Sequence, residues 1–588
     1  MRLCGILGYI GTTDGREAIL TGLERLEYRG YDSAGVAVLN EQGLSIFKKE
    51  GLTTGLRKTD FMKQDAPLAI AHTRWATRGC VALHNAHPHH SSSGRFTLVH
   101  NGSIENETKI RKRLLQNYPF TSETDTEVIV ALIEKYEAEF NNLENALLHL
   151  LTILKGSYTF ILIDKFDKDT LYAVKNKAPL VIGLSDDFKM VASDVASMSH
   201  MTDKFIVTAN QELVKLTKNS VKVFDRYGRD VTKIHMTINV NEDGFDKGDY
   251  PHHVLQEIDE QPQILQKYVD EFLTSGWPKN KLNAIGALKN ADRIYLVGGG
   301  TSLNSSLVGK KVIEQVAGIP VEVLLASELC NEIPLLSKKP VFIILSTSGE
   351  SVDGRNSLFK VRDLGFHTIL ITNTHGSALS READFTLYLD VGIEMAISAT
   401  KTYIAQVALF ILIAFKLAKK VDIDLKKEFE NVINVTRDLL SKKNDFEALA
   451  GEYLSRDYVH VVGRSYDQAT AYEASLKLKE MAYINASGLV GGELKYGNLA
   501  LFDIDTPIIG IVSNKHTRGS IQVAKVRKPK LLIVSLASVS YKTDQIVVGD
   551  VHPILAPLVM IVPLQLLAYY AGISRSINVD RPRHLAKL

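Results

Sequence analysis

Residues 293–306 read RIYLVGGGTSLNSS, and residues 457–480 read DYVHVVGRSYDQATAYEASLKLKE. Each is a short apolar run, a turn containing glycine, and a segment that opens a helical pattern. Gly298 and Gly463 occupy matching places, and each copy continues into further apolar strands, PVFIIL in the first and TPIIGIVSN in the second. Strands alternating with helices build parallel α/β sheets, because a parallel crossover needs a helix to return the chain. A unit that occurs twice predicts two related α/β domains. They are expected at 251–420 and 421–578, with a tail at 579–588.

STSGES (346–351) follows the strand VFIIL and precedes an expected helix. Ligands of open α/β sheets bind at the carboxyl ends of the strands. Helix-start N–H groups with Ser and Thr hydroxyls suit a phosphate, although the same residues also serve as an ordinary capped turn. GGGTS (298–302) strengthens the phosphate reading. The stretch contains no GxxxxGK[ST], so it is not an ATP-binding P-loop. On the second copy, Lys477 and Glu480 share a helix face at i, i+3, the spacing of a surface ion pair.

The part before this repeat, 4–235, reads differently. KGSYTFILIDK (155–165) and TLYAVKN (170–176) alternate as strands joined by a turn, and DTEVIVALIEKYEAEF (125–140) has helical spacing with Asp125 at its start. The polar, Gly/Asp-rich stretch 236–250 is the expected linker, and HHVLQEIDEQPQILQKYVDEFL after it reads as a strong helix.

At about 100–200 residues per domain, 588 residues hold about three or four domains. A net charge of +2 leaves no electrostatic footprint for nucleic acid. Cys4, Cys80 and Cys330 are far apart and form no CxxC pair, which argues against a disulfide framework or zinc site and for a reducing, cytoplasmic setting. Cys80 and Cys330 are read as packing thiols. HNAHPHH (84–90) resembles metal-ligand spacing, but its proline and the lack of nearby acids weigh against it, so no metal and no cofactor is expected. No signal-peptide pattern opens the chain. Val407 to Phe415 gives nine unbroken apolar residues, short of the roughly 20 of a membrane span. ILAPLVMIVPLQLLAYYAG is interrupted by Pro557, Pro563 and Gln565, so both stretches are read as buried helices.

Strand–SxSGES–helix, the doubled α/β unit and EASLKLKEMAYI resemble sugar isomerase (SIS) domains. CGILGYIG, LEYRGYDSAGVAV, AHTRWAT, NAHPH, VHNGSIEN and SETDTE, in that order, resemble a type-2 glutamine amidotransferase. Read end to end, the chain resembles the isomerizing glutamine–fructose-6-phosphate aminotransferases. The fold this implies is mixed α/β and α+β: an N-terminal nucleophile (Ntn-type, αββα) domain followed by two tandem SIS domains.

The resemblance implies a nucleophile at Cys4, with its own α-amino group as the base. A terminal amine of pKa about 7.7–8.0 can take and return that proton. It further implies oxyanion donors at Asn101 and Gly102, glutamine contacts from Arg74, Thr77 and Asp125, support from Arg29, and an ammonia gate at Trp75. In the second part it implies sugar-phosphate contacts from Thr301, Ser302, Ser346, Thr347, Ser348, Ser351 and Ala399. Lys587 would form a Schiff base with the open-chain sugar, Glu480 would move a proton, and Lys477 would stabilise the developing enolamine oxygen. The implied partners are glutamine and fructose 6-phosphate in a homodimer.

The chain departs from the family pattern at Tyr496, where a ring-opening histidine is expected, and at Asn498, Thr347, Ser351, Arg78, Ala399 and Gly299. Tyrosine, with a pKa near 10, is a poor general base at pH 7. Two alternatives stay open: a relative acting on another phosphosugar, including in the deglycating direction, and a phosphosugar sensor whose chemistry has decayed. Met1-Arg2-Leu3 precede Cys4. A free Cys4 amine therefore requires a start at the third codon or removal of a short leader; otherwise the glutaminase is blocked.

Overall fold

The computed structural model describes residues 4–238, 244–585 and 587. The segment Met1–Leu3, on which exposure of the Cys4 amine turns, and part of the expected linker lie outside the described residues. The chain divides into two compact units, Met1–Glu242 with Ala586–Leu588, and Asp243–Leu585.

The first unit is a four-layer αββα sandwich. One sheet runs Met236–Thr237, Lys204–Val207, Val181–Leu184, Phe188–Ala192, Gly5–Gly11, Leu68–Arg74, Ser33–Asn40, Gly43–Glu50. The other runs Val221–Phe224, Glu212–Leu216, Leu171–Asn176, Gly156–Asp164, Phe96–Ile104, His89–His90. All pairings in both are antiparallel. Side chains alternate faces along a strand. Ile6, Ile10, Leu68, Ile70, Val99 and Ile161 therefore fill the space between the sheets. Leu7 and Tyr9 turn outward onto the helix Arg16–Glu24, and Leu98 and Phe160 onto the helices Thr126–Phe140 and Leu143–Ile153. Met236–Thr237, read from the sequence as linker, is an edge strand bonded to Lys204 and Phe205.

The second unit holds two five-stranded parallel sheets of one topology. The first runs Val321–Leu325, Arg293–Gly298, Pro340–Leu345, His367–Thr372, Phe385–Tyr388, and the second Asn485–Val490, Tyr458–Gly463, Pro507–Val512, Lys530–Leu536, Ile546–Val548. In each, the first strand in chain order lies between the second and the third. A single core joins the two copies through the helices Lys401–Leu417, Tyr466–Ala482 and Ala556–Ser574. Ala556–Ser574 is long and apolar enough to cross a membrane by length and composition, yet 94% of its apolar window is buried within the unit. Its one central amide, Gln565, accepts from Gln261 at 2.6 Å.

The strong helix read over 252–273 is instead broken into His253–Asp259, Gln261–Tyr268 and a wider-pitched π turn, Val269–Thr274. The break falls beside Pro262. Proline has no N–H to donate and suits the first turn of a helix rather than its interior.

Candidate active sites

Cys4 immediately precedes the strand Gly5–Gly11, and its side chain shares the inter-sheet face with Ile6 and Ile10. Gly5 pairs with Thr73, which sets Cys4 beside Arg74. Asn101 stands on the same inter-sheet face of its strand as Val99. Strand alternation thus carries the thiol, the guanidinium and the amide to one end of the sandwich, where Asp125 begins the helix Thr126–Phe140. A cavity there is lined by Cys4, Arg74, Trp75, Thr77, Arg78, His87, His100, Gly102, Thr124, Asp125 and Thr126. Of the amidotransferase-site residues expected from the sequence, Cys4, Arg74, Trp75, Thr77, Gly102 and Asp125 line this cavity, and Arg29 and Asn101 do not.

The cysteine sulfur accepts from the Trp75 N–H at 3.3 Å. Burial pushes its thiol pKa up to about 11, against the pull of that N–H and of Arg74. The Arg74 guanidinium donates to the carbonyls of Cys80 (3.0 Å) and Arg78 (2.6 Å). Asp125 Oδ2 accepts from the Ile104 N–H at 2.7 Å, and the Ala76 N–H donates to Asp32 at 2.8 Å. Gly102 sits at φ +137°, and a Cβ there would meet the Ser157 carbonyl oxygen at 2.1 Å, so only glycine fits. Asn101 is fully buried with its Oδ1 unpartnered, and its Nδ2 lies 3.4 Å from Ser193 Oγ. Trp75 is buried and meets Tyr31 edge-on at 5.6 Å. Arg29 does not line the cavity; it pairs with Asp194 at 2.8 Å.

Sequence reasoning assigned no role to the histidines here. His72 and His87 stack at 3.8 Å, the His100 N–H donates to His87 Nδ1 at 3.2 Å, and Thr126 Oγ1 lies 2.9 Å from His100 Nδ1. Burial holds all three below the usual imidazole range; His87 and His100 line the cavity and His72 stacks behind them. Cys80, read as a packing thiol, is exposed on the loop whose carbonyls hold Arg74.

In the second unit, the carboxyl ends of Arg293–Gly298 and Pro340–Leu345 are adjacent, and their following segments diverge. This is the topological switch point at which such sheets bind ligands. Thr301 and Ser302 open the helix Thr301–Ala317, and Ser346–Ser351 forms the turn into the helix Val352–Asp363. Ser346 Oγ lies 2.8 Å from Ser351 Oγ, and Gln406 Nε2 donates to Ser302 Oγ (3.1 Å) and Thr347 Oγ1 (3.4 Å). The Glu350 N–H donates to Ser348 Oγ at 3.1 Å. Gly349 takes φ +62°, with Ser377 packed where a Cβ would lie. Ala399 precedes the helix Lys401–Leu417, whose start is capped by Glu394, accepting from the N–H groups of Thr400 (3.0 Å) and Thr402 (3.1 Å).

The ion pair read as a surface feature is buried. Lys477 is wholly enclosed and lies 2.6 Å from Glu480 and 3.4 Å from Glu473, donating to Thr301 Oγ1 at 3.1 Å. Glu473 in turn accepts from Thr301 (3.0 Å) and Asn304 (2.8 Å). Burial opposes the Lys477 charge, but Glu480 and Glu473 outweigh it and raise the pKa, so Lys477 stays an ammonium. Glu473, one helical turn before Lys477, was legible as an i, i+4 partner yet went unread. The helix Tyr466–Ala482 of the second copy thus reaches the switch point of the first.

At the second copy's own switch point, Asp467 stands where Ser302 stands in the first. Its Oδ2 accepts from the Ser513 N–H (3.1 Å), Asn514 Nδ2 (3.0 Å) and Thr517 Oγ1 (2.8 Å). The donors an anion would use are taken by the chain's own carboxylate.

Two expected residues stand apart from these constellations. Tyr496 is 71% exposed, with the Lys495 ammonium 4.9 Å from its ring. Lys587 groups with the first unit, where its backbone N–H donates to the Tyr28 carbonyl at 3.2 Å.

Comparison with known proteins agrees with this geometry. The family model described as SIS domain matches residues 287–416 and 453–575, and that described as glutamine amidotransferase domain matches 72–200. The chain is 45% identical over 598 aligned positions to the glutamine–fructose-6-phosphate aminotransferase (isomerizing) of Geobacillus kaustophilus, spanning 100% of this chain and 99% of that protein. It is 43% identical to that of Bacillus subtilis, with the same coverage. The solved C-terminal domain of glucosamine-fructose-6-phosphate aminotransferase from Francisella tularensis is 28% identical with a TM-score of 0.54, covering 57% of this chain and 100% of that one. With a thiol cavity on an αββα sandwich, a phosphate-type turn at a parallel switch point and relatives matched end to end, the chain belongs to the isomerizing glutamine–fructose-6-phosphate aminotransferase family.

Proposed function

We propose that this chain converts D-fructose 6-phosphate and L-glutamine to D-glucosamine 6-phosphate and L-glutamate. The observation that carries the reading is that one chain holds both half-sites: the Cys4 cavity in the first unit and the Thr301–Ser346–Lys477–Glu480 constellation in the second. The Cys4 thiolate attacks the glutamine amide carbon, forming a thioester and releasing ammonia, and water then hydrolyses the thioester to glutamate and restores the thiol. With its pKa raised, the thiol needs a base at hand, and the Cys4 α-amino group serves if Cys4 is the first residue. Asn101 and the Gly102 N–H face the developing oxyanion. Arg74 recognises the glutamine carboxylate and Asp125 its α-amino group, with Thr77 alongside, while Arg29 supports the site through Asp194.

In the second unit, the hydroxyls and N–H groups of 346–351 hold the sugar phosphate. Glu480 shuttles the proton between C1 and C2, and Lys477, an ammonium, stabilises the enolamine oxygen. Lys587 supplies the Schiff-base amine. Ammonia reaches the sugar internally, with Trp75 as its gate. Tyr496, exposed on its own subunit, takes the place of a histidine that the family presents across a homodimer interface. The domain bounds that go with this reading are an amidotransferase domain over 4–235, to which the edge strand Met236–Thr237 also belongs, a linker to 250, SIS domains over 251–420 and 421–578, and a tail over 579–588. Three scattered thiols fit a cytoplasmic setting.

The test uses protein beginning at Cys4, with glutamine and fructose 6-phosphate supplied together and glutamate and glucosamine 6-phosphate quantified in one sample. Equal amounts of both are expected. Glutamate without the amino sugar refutes the reading in favour of another acceptor.

A further inference from the structure

The 78–85 loop carries more than its carbonyls. Cys80 Sγ, a ring nitrogen of His84 and a carboxylate oxygen of Glu123 all lie within 4.8 Å of one another, each side chain exposed. The sequence reading set metal aside for want of a nearby acid, and Glu123, some forty residues away, is that acid. Its carboxylate is already oriented, accepting from Asn85 Nδ2 at 2.8 Å and from the Cys80 N–H at 3.2 Å. Cys80 and His84 are four residues apart, a common spacing for zinc ligands.

We propose that Cys80, His84 and Glu123 form a divalent-metal site of the zinc class, which staples the loop holding Arg74 to the segment carrying Asp125. Thiolate, imidazole and carboxylate together favour zinc over the hard cations. Metal–ligand bonds of about 2.0–2.3 Å in tetrahedral geometry put ligand atoms roughly 3–4 Å apart, so small side-chain rotations close the site and water completes it. On binding, the Cys80 thiol releases its proton to solvent and the sulfur–metal bond forms, with no change of oxidation state. Arg74 is held by the carbonyls of Arg78 and Cys80, and Asp125 lies two residues after Glu123. The ion would therefore tie together the two groups expected to recognise glutamine, and slow any loop movement that admits substrate or releases product.

The stapling role rests on the glutaminase reading, whereas the metal site does not, and the experiment separates them. Chelator-stripped full-length protein is titrated with Co2+ and followed by thiolate-to-cobalt absorption. One Co2+ per chain is expected, with the band lost in Cys80→Ser and affinity weakened by at least about 10–100-fold in His84→Ala and Glu123→Gln. The band should persist in Cys4→Ala and Cys330→Ser. No band, a band that follows Cys4 or Cys330, or one indifferent to His84→Ala overturns the site. Because His84→Ala keeps all three thiols, it also serves for the second readout. Stoichiometric Zn2+ should slow glutamine hydrolysis in the parent protein and leave His84→Ala unaffected. Binding without any such slowing overturns the stapling role alone.

Discussion

Cys4 concentrates the residue-scale chemistry of the first unit. A buried sulfur beside a backbone N–H and an arginine would be expected to ionise readily, yet desolvation outweighs both and lifts the thiol to about 11. The protonated form then dominates at neutral pH, and the thiolate fraction rises about tenfold for each pH unit below that value. Alkylation of Cys4 by iodoacetamide, followed by peptide mass spectrometry, should accelerate by about tenfold per unit from pH 7 to pH 10. A plateau near pH 8 would show a thiol that burial does not control. The cysteine's candidacy was legible from the block it opens, CGILGYIG, and so was its company, because AHTRWAT and VHNGSIEN carry Arg74 and Asn101. The balance of desolvation against the Trp75 N–H was not legible, because it depends on a strand register that pairs residues some seventy positions apart.

At the scale of elements, the doubled strand–turn–helix predicts both parallel sheets, because a buried apolar run ending in glycine states its own boundaries. It does not say which copy keeps a ligand site. The copies differ there in two ways: Asp467 stands in place of Ser302 and its carboxylate fills its own switch point, and the STSGES turn has no counterpart in the second copy. Nor did periodicity reveal that the helix Tyr466–Ala482 docks into the first copy, where Lys477 is enclosed by Glu473 and Glu480. Charged side chains on a helix usually read as a solvated face, and only tertiary packing made this one interior. The enclosure predicts an energetic effect. Removing Glu473 leaves Lys477 paired with Glu480 at 2.6 Å but takes the acceptor from the buried donors of Thr301 and Asn304, which costs about 1–3 kcal/mol. Glu473→Ala should lower unfolding free energy by about that amount in urea titrations of the second unit's transition. Glu473→Gln, which keeps an acceptor for Thr301 and Asn304, should cost less. Equal losses in both would mean that shape, not hydrogen bonding, makes the contact.

For the whole molecule, the two constellations are assembled from separate cores. The thiol cavity is built on the inter-sheet core of the sandwich, and the phosphate turn on the core shared by the two parallel sheets. Damage at one chemical site should therefore leave the architecture of the other standing, which a binding protein with decayed chemistry would have no cause to maintain. Lys477→Ala tests this. It removes the ammonium proposed to stabilise the enolamine oxygen, and loss of such a group lowers turnover by about 10²–10⁴-fold. Glucosamine 6-phosphate formation should fall by that factor. Glutamine hydrolysis by the same protein, assayed as glutamate release without fructose 6-phosphate, should stay within about twofold of the parent. Loss of both activities together, with the far-ultraviolet dichroism unchanged, would mean that the Cys4 cavity depends on the lysine's buried charge network and that the units are not chemically independent. Loss of neither would remove Lys477 from the sugar chemistry and leave its ion pairs a purely structural role.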